Sequence, residues 1–425
     1  MNEAMALLLL VGGVLLLVGA PIWATIGLAS ASYIWVQGFP TNLIVQRMFN
    51  NMDSFLLLAV PMFMLAGEVM NTSGLTARLL DLAHVLLRRL RAGLAMANLG
   101  TNMMMAGISG SALADASALT ALMKPKMVEQ GYRASFVAAL TAAGSIVAPI
   151  IPPSITFILF SVLADVSVID LFMAGILPGV VIVVFQMFTV NMLSRRGRIP
   201  ARDAAPALKT GIALRRAIPV LILPIIIVGG IRGGVFTPIE GAAVALAYAL
   251  ALAVLMRRIR VDQLLHLSWD VAKGMGEILL MIGSASLLAW VIVAEQIPAG
   301  VASAMLSLTS DPLMLLIIIN VLLLLVGMVL DNFAAMVIFV PILMPVVQQY
   351  GIDPVHFGVI VNVNLMIGSI TPPVGLSLFV TSRVAGVSFE SSVKEILPFI
   401  AASLLALGVI TYVPALSLAI PGLLK

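Results

Sequence analysis

The sequence contains no cysteine, which excludes disulfides, thiolate metal sites and cysteine nucleophiles. Its only histidines are His84, His266 and His356. They lie far apart and show no HExxH or similar spacing, so no transition-metal centre is expected. There is no GxxxxGK[ST] loop, so no nucleotide phosphate site of that kind is expected either. Charge is scarce: Asp, Glu, Lys and Arg make up 10% of 425 residues, against about 25% in an ordinary soluble protein. The net charge of +4 is not a nucleic-acid signal. The basic residues sit in short clusters between apolar spans, at Arg88, Arg89 and Arg91, at Lys124, Lys126 and Arg133, from Arg195 to Arg216, and at Arg257, Arg258 and Arg260. That is the distribution the positive-inside rule produces.

What fills the sequence is apolar. Hydrophobic residues make up 61% of it and the mean hydropathy is +1.16. Runs long enough to cross a bilayer recur from Met5 to the C-terminus, so one signal peptide does not account for them. Only helices or closed barrels span lipid, and continuous rather than alternating runs favour helices. The expected class is an all-α polytopic membrane protein of the inner (cytoplasmic) membrane.

The two halves repeat at a constant shift of 220 residues: Gly107 falls on Gly327, Ala114 on Ala334, Pro125 on Pro345 and Gly131 on Gly351. Pro152-Pro153 falls on Pro372-Pro373, and Ile176-Leu177-Pro178 on Ile396-Leu397-Pro398. Shared Leu and Val arise easily in apolar sequence; Gly and Pro in register do not. The first unit covers 1–193, a polar cytoplasmic linker 194–216, and the second unit 217–425. Spans are read at 5–18, 22–37, 54–72, 134–165 and 168–193, then at 217–231, 237–256, 273–296, 355–382 and 394–420. These ten crossings, five per unit, make the copies inverted. With the N-terminus outside, every Lys and Arg faces inward except Arg47, Arg232 and Lys425. Residues 92–128 begin and end inside, and 312–350 begin and end outside, so each is read as a re-entrant helical hairpin. Segments 75–90 and 298–309 are either plain connecting helices or interfacial helices linking a fixed to a moving part.

The first hairpin carries Gly107, Ser109, Gly110, Ser111 and Asp115; the second carries Gly327, Asp331 and Asn332. Small residues permit bends and close helix approach, and a carboxylate in an apolar run is costly unless used or paired. Facing each hairpin is a helix broken at a proline pair, Ala148–Ser154 and Gly368–Val374. Each proline strands the carbonyl one turn earlier. Oxygen-rich breaks suit sodium, which gives two related sites. One draws on Gly107, Ser109, Ser111, Ala148, Ile151 and Ser154, the other on Gly327, Asn332, Gly368, Thr371 and Val374. Ser109, Gly110, Asp331 and Asn332 are candidate substrate contacts. Arg383 is either an inner-face anchor or a partner for a substrate carboxylate. Simple readings stand beside these: Gly and Ser as packing surface, Pro pairs as kinks, Asp331 as a helix cap. The recurrence of the breaks in both copies favours the ion-binding reading.

The strings GISGSALADASAL, PPS, TPPVGLSLFV and QRMFNNMDSFLLLAVPMFMLAGEVM resemble the large membrane subunit of tripartite ATP-independent periplasmic (TRAP) transporters, over essentially the whole chain. The resemblance implies an ion-transporter-like elevator fold with a scaffold and a moving transport domain. It implies sodium symport of an organic acid, such as a C4-dicarboxylate or a sialic acid. It also implies two partners: a small four-helix membrane subunit and a periplasmic substrate-binding protein, for which Arg47 and Asp53 on an outer loop are candidate contacts. The rival readings are a single-component carboxylate symporter, or a sodium–proton antiporter titrating Asp115 or Asp331. An intramembrane enzyme is disfavoured, since there is no Cys, clustered His or carboxylate pair.

Overall fold

A computed structural model describes residues 3–201 and 208–423, and among them every regular element is a helix. Helices α1 (Glu3–Leu17) and α2 (Ile22–Val36) pack together across a turn at Gly19, whose φ is 77°. Helix α3 (Asn42–Met52) and a 3-10 turn (Phe55–Leu58) lead into α4 (Ala59–Thr72), and α5 (Thr76–Leu87) follows. Helices α6 (Gly93–Ser109) and α7 (Ala112–Glu129) form a hairpin joined only by Gly110 and Ser111. Then come α8 (Ala134–Ser145), α9 (Ile155–Ala164) and the long α10 (Val168–Arg195).

The same order runs again. Helices α11 (Thr210–Arg232), α12 (Pro238–Leu255), α13 (Val261–Ala294) and α14 (Ile297–Leu308) precede a second hairpin, α15 (Pro312–Gly327) and α16 (Asn332–Gln349). Short helices α17 (Pro354–Gly368) and α18 (Leu376–Ala385) then lead to the long α19 (Phe389–Tyr412) and the terminal α20 (Ala415–Gly422). Hairpin, short helix, proline break, short helix, long helix thus occurs twice.

Among the described residues, seven helical segments are long and apolar enough to cross a bilayer alone. The short helices α8 and α9 are each too short for that, and their lengths together come to about 33 Å at 1.5 Å per residue, close to the thickness of a hydrocarbon core. The core lies where the two units meet. Helix α7 packs on α18 and α16 packs on α9, so each hairpin lies against the other unit's second half-helix. Helix α8 also packs on α19, through Phe136 and Phe399.

Several boundaries differ from the sequence reading. The linker is shorter than 194–216: α10 runs to Arg195 and α11 begins at Thr210. Residues 202–207 of it, and Lys425, lie outside the described residues. Hydropathy starts the next span at Ala217, but Ala213, Leu214, Arg215 and Arg216 are good helix formers, and α11 buries Ala213 and Ala217 one turn apart while its arginines stay exposed. For the same reason α13 begins at Val261, well before the expected 273, with Asp262, Leu265 and Trp269 exposed on its early turns. The last span, 394–420, is two helices parted at Val413 and Pro414. The outer segment with Arg47 is not a loop but α3, which packs on α13 and exposes Arg47; the exposed Asp53 is its C-cap.

Candidate functional site

The hairpin turns meet the proline breaks. A Cβ on Gly110, at φ 60°, would lie 2.8 Å from the Pro153 carbonyl oxygen. A Cβ on Gly368 would lie 2.5 Å from the Gly327 carbonyl carbon. Only glycine allows backbone to approach backbone so closely. Between the two tips lies a cavity of about 350 Å³. Its walls are the first tip (Ser109–Ala114), the second tip (Gly327–Phe333), the start of α9, the break before α18, and one face of α4.

Four helix N-termini open on this cavity. Ala112 of α7, Ile155 of α9, Asn332 of α16 and Leu376 of α18 are the first residues of their helices, and all line it. Three of the four helices are capped by their own side chains. The Ser111 hydroxyl accepts from the Ala114 N–H at 3.4 Å, the Ser154 hydroxyl from Phe157 at 3.1 Å, and the Asp331 carboxylate from Phe333 at 3.1 Å. The α18 start follows Gly375, at φ 53°, and has no side-chain cap. N-terminal N–H groups and the positive ends of the helix dipoles favour an anion.

Proline pairs do strand carbonyls. The oxygens of Ala148 and Pro149 would bond the N–H groups of residues 152 and 153, which are prolines and have none. Among the described residues no donor reaches the carbonyls of Gly107, Ala148 and Ile151 in the first unit, or those of Gly327 and Thr371 in the second. The Gly368 carbonyl differs, accepting from the Thr371 N–H at 2.9 Å. The Asn332 carboxamide is buried and neither its nitrogen nor its oxygen has a partner. Unpaired oxygens and amides in a buried, apolar setting are costly unless a ligand satisfies them.

Ser109, Gly110, Ser111, Gly327, Asp331, Asn332 and Val374 are thus brought together around one cavity. Gly107, Ala148, Ile151, Ser154, Gly368 and Thr371 stand behind its lining, in or against the breaks. Gly107 abuts Pro224 of α11 and approaches the Pro152 carbonyl. Arg383 is not part of this group. It is exposed in the last turn of α18, about 10 Å along the helix from Leu376, and does not line the cavity. In this conformation it is not placed to hold a substrate carboxylate.

Some cavity residues carry no signal in the repeat pattern. Glu68 and Asn71 on α4 line it, and Gly67 beside them meets the first tip: its Cβ would lie 2.9 Å from Ser109 Cα. Glu68 was visible as a carboxylate in an apolar helix, but nothing in the sequence placed α4 against the hairpin. Asp115 is fully buried beside Ser109 and Asn71, with Glu68 beyond, and neither carboxyl oxygen makes a hydrogen bond of ordinary geometry. Thr156, Ser369 and Ser377 also face the cavity.

The sequence matches the family described as tripartite ATP-independent periplasmic transporter, DctM component, over residues 9–416. The chain belongs to the DctM family. It is 39% identical over 416 residues to the 2,3-diketo-L-gulonate TRAP transporter large permease protein of Escherichia coli K12, covering 97% of this chain and 98% of that one. It is 34% identical over 411 residues to the sialic acid TRAP transporter large permease protein of Vibrio cholerae, covering 96% of each. It is 36% identical over 377 residues to the C4-dicarboxylate TRAP transporter large permease protein of Pseudomonas aeruginosa, covering 88% of each. The fold is similar to that of the YdaH transporter of Alcanivorax borkumensis, with a TM-score of 0.61 over 87% of this chain and 86% of that one, at 15% identity. This DctM-family chain is therefore a membrane-embedded TRAP transporter component, in a family of permeases.

Proposed function

We propose that the chain is the large permease of a secondary TRAP transporter that imports a small organic acid with sodium. The observation that carries this is the convergence of four helix N-termini on one cavity flanked by donor-free carbonyls at both breaks. The N-termini and the Asn332 amide suit the anion. Each helix end contributes about 0.3–1 kcal/mol at an exposed site and more where water is excluded. The stranded carbonyls suit a small hard cation, and two cations offset the charge of the substrate and of Asp331. The relatives' named substrates, diketogulonate, sialic acid and C4-dicarboxylate, are all organic anions of this kind.

The packing of the helices supports an elevator mechanism. On this reading the two units are inverted in the membrane, and α4, with the α12 and α13 that pack on it, belongs to a frame. The hairpins and broken helices form the moving body. Sodium at Gly107, Ser109, Ser111, Ala148, Ile151 and Ser154, and at Gly327, Asn332, Gly368, Thr371 and Val374, orders the tips. The tips then hold the carboxylate through Ser109, Gly110 and Asn332, with Asp331 capping α16. The loaded body slides along α4 and releases inside, as an elevator. A small four-helix membrane subunit completes the frame in the inner membrane, and a periplasmic binding protein delivers the substrate against the outer face near Arg47 and Asp53. Uptake of radiolabelled C4-dicarboxylate, sialic acid and diketogulonate into proteoliposomes with both partners tests this. Uptake of one of them that stops without external sodium is expected; uptake indifferent to sodium contradicts the coupling.

The buried, unpartnered Asp115 favours a second reading, in which a proton is exchanged at that carboxyl. Uptake driven by an imposed pH gradient without sodium would select it.

A further inference from the structure

The stranded carbonyls of the two breaks are treated differently. Position 149 corresponds to position 369 by the repeat, and each precedes a proline by four residues. In the second unit the Ser369 carbonyl is satisfied within its own break, accepting from the Ser377 N–H at 2.9 Å. In the first, the Pro149 carbonyl has a local donor in Ser154 and takes a further donor from the other half of the protein. Asn362 of α17 donates from Nδ2 to it at 2.6 Å. The Thr156 hydroxyl donates to Asn362 Oδ1 at 2.9 Å and lies 3.0 Å from the same carbonyl, and the Ser154 hydroxyl donates there too. All these side chains are buried. The repeat has no counterpart of this arrangement: Ala142, Val374 and Leu376 stand where Asn362, Ser154 and Thr156 would map.

Asn362 lies six residues before Gly368, about 9 Å along a continuous helix. Gly368 is the residue that rests on Gly327 of the second tip. One rigid element therefore carries both the second tip's seat and the donor that sets the first break.

We propose that Asn362 is a positioning residue that couples the two breaks, so that ordering either one favours sodium at the other. This rests on the reading of both breaks as sodium sites. Sodium at the second break fixes the end of α17, which fixes Asn362. Asn362 then holds the Pro149 carbonyl, and the neighbouring Ala148 and Ile151 carbonyls stay aimed at the first site. Such coupling is reciprocal.

Binding of radiolabelled sodium to the full chain with its small subunit in nanodiscs tests this without a substrate. The unsubstituted complex is expected to bind with a Hill coefficient above one. Asn362→Leu and Thr156→Val are expected to bring it towards one and to raise the half-saturating sodium concentration about fivefold or more. Thr156→Ser, which keeps the hydroxyl, is expected to retain the parent curve, and Thr156→Val covers the case where Asn362→Leu fails to fold. Parent-like Hill coefficients and midpoints in Thr156→Val would overturn the proposal, as would lost binding capacity at an unchanged midpoint. A parent that binds no sodium would instead refute the sodium reading beneath it.

Discussion

Gly368→Ala places one methyl where the structure has no room for it. The added Cβ would lie 2.5 Å from the Gly327 carbonyl carbon, 2.6 Å from its Cα and 2.8 Å from its oxygen. Ordinary carbon contacts are about 3.5–4.0 Å, so the second tip and the end of α17 must part by about 1 Å. All three near atoms are backbone, so no side chain can swing aside. Overpacking of this kind costs about 1–3 kcal/mol, and here the strain falls on the seat of the second cation site. If about 1.4 kcal/mol changes a binding constant tenfold, the expected loss of sodium affinity is about five- to 150-fold. The control is Gly408→Ala on α19, where an added Cβ meets nothing within 4 Å. The assay is sodium titration of uptake in proteoliposomes, with melting temperature measured alongside. A Gly368→Ala transporter whose sodium midpoint stays within about twofold of the parent would rule out a cation site at this seat, because the substitution could then not be distorting one.

Other outcomes follow from the same geometry. Gly175→Ala would drive its Cβ to 2.1 Å from the Ile150 carbonyl oxygen, so it should weaken sodium at the first break, read as a raised sodium midpoint. Asn332→Leu keeps the size of the side chain but removes a buried amide with no protein partner; it should leave melting temperature near the parent value while substrate affinity falls tenfold or so, the span of a lost hydrogen bond to a charged group. Gly67→Val should slow uptake more than it weakens binding, because its side chain would wedge α4 against Ser109 at 2.9 Å; a rate constant for translocation measured separately from binding checks this. Arg133→Ala should change stability by less than about 1 kcal/mol, since the 2.9 Å pair with Glu395 has an arginine side chain 60% exposed.

The parts of the site that were legible in the sequence are those written by backbone chemistry. Two proline pairs in register announce stranded carbonyls wherever they fold, and Gly327 and Gly368 mark the close approach of tip to break in the second unit, while Gly107 makes room for Pro224 of α11. The hairpins were legible because apolar runs that start and end beside the same side's charges have to turn back. What depends on which helix lies against which was not legible. Glu68 and Asn71 enter the cavity only because α4 packs against the first tip. Asn362 reaches Pro149 across a separation in sequence that no local pattern encodes, and the repeat misleads here, since its counterpart is Ala142. Arg383 is the reverse case: it follows a conspicuous motif, but one helix carries it about 10 Å away from the cavity. The helix starts of α11 and α13 were missed because hydropathy marks where lipid begins, while the backbone keeps its helix into the polar turns beyond.

On the proposed function, the space between the two tips holds an organic anion on helix N-termini, with cations at the stranded carbonyls. A density map of the complete transporter in sodium with its bound substrate tests that most directly. The substrate's anionic group is expected within hydrogen-bond distance of the α7, α16 or α18 N-termini and of Asn332, with cation density beside the Ala148 and Gly327 carbonyls. Substrate density elsewhere, with the cavity filled only by water and the carbonyls bare, would contradict it.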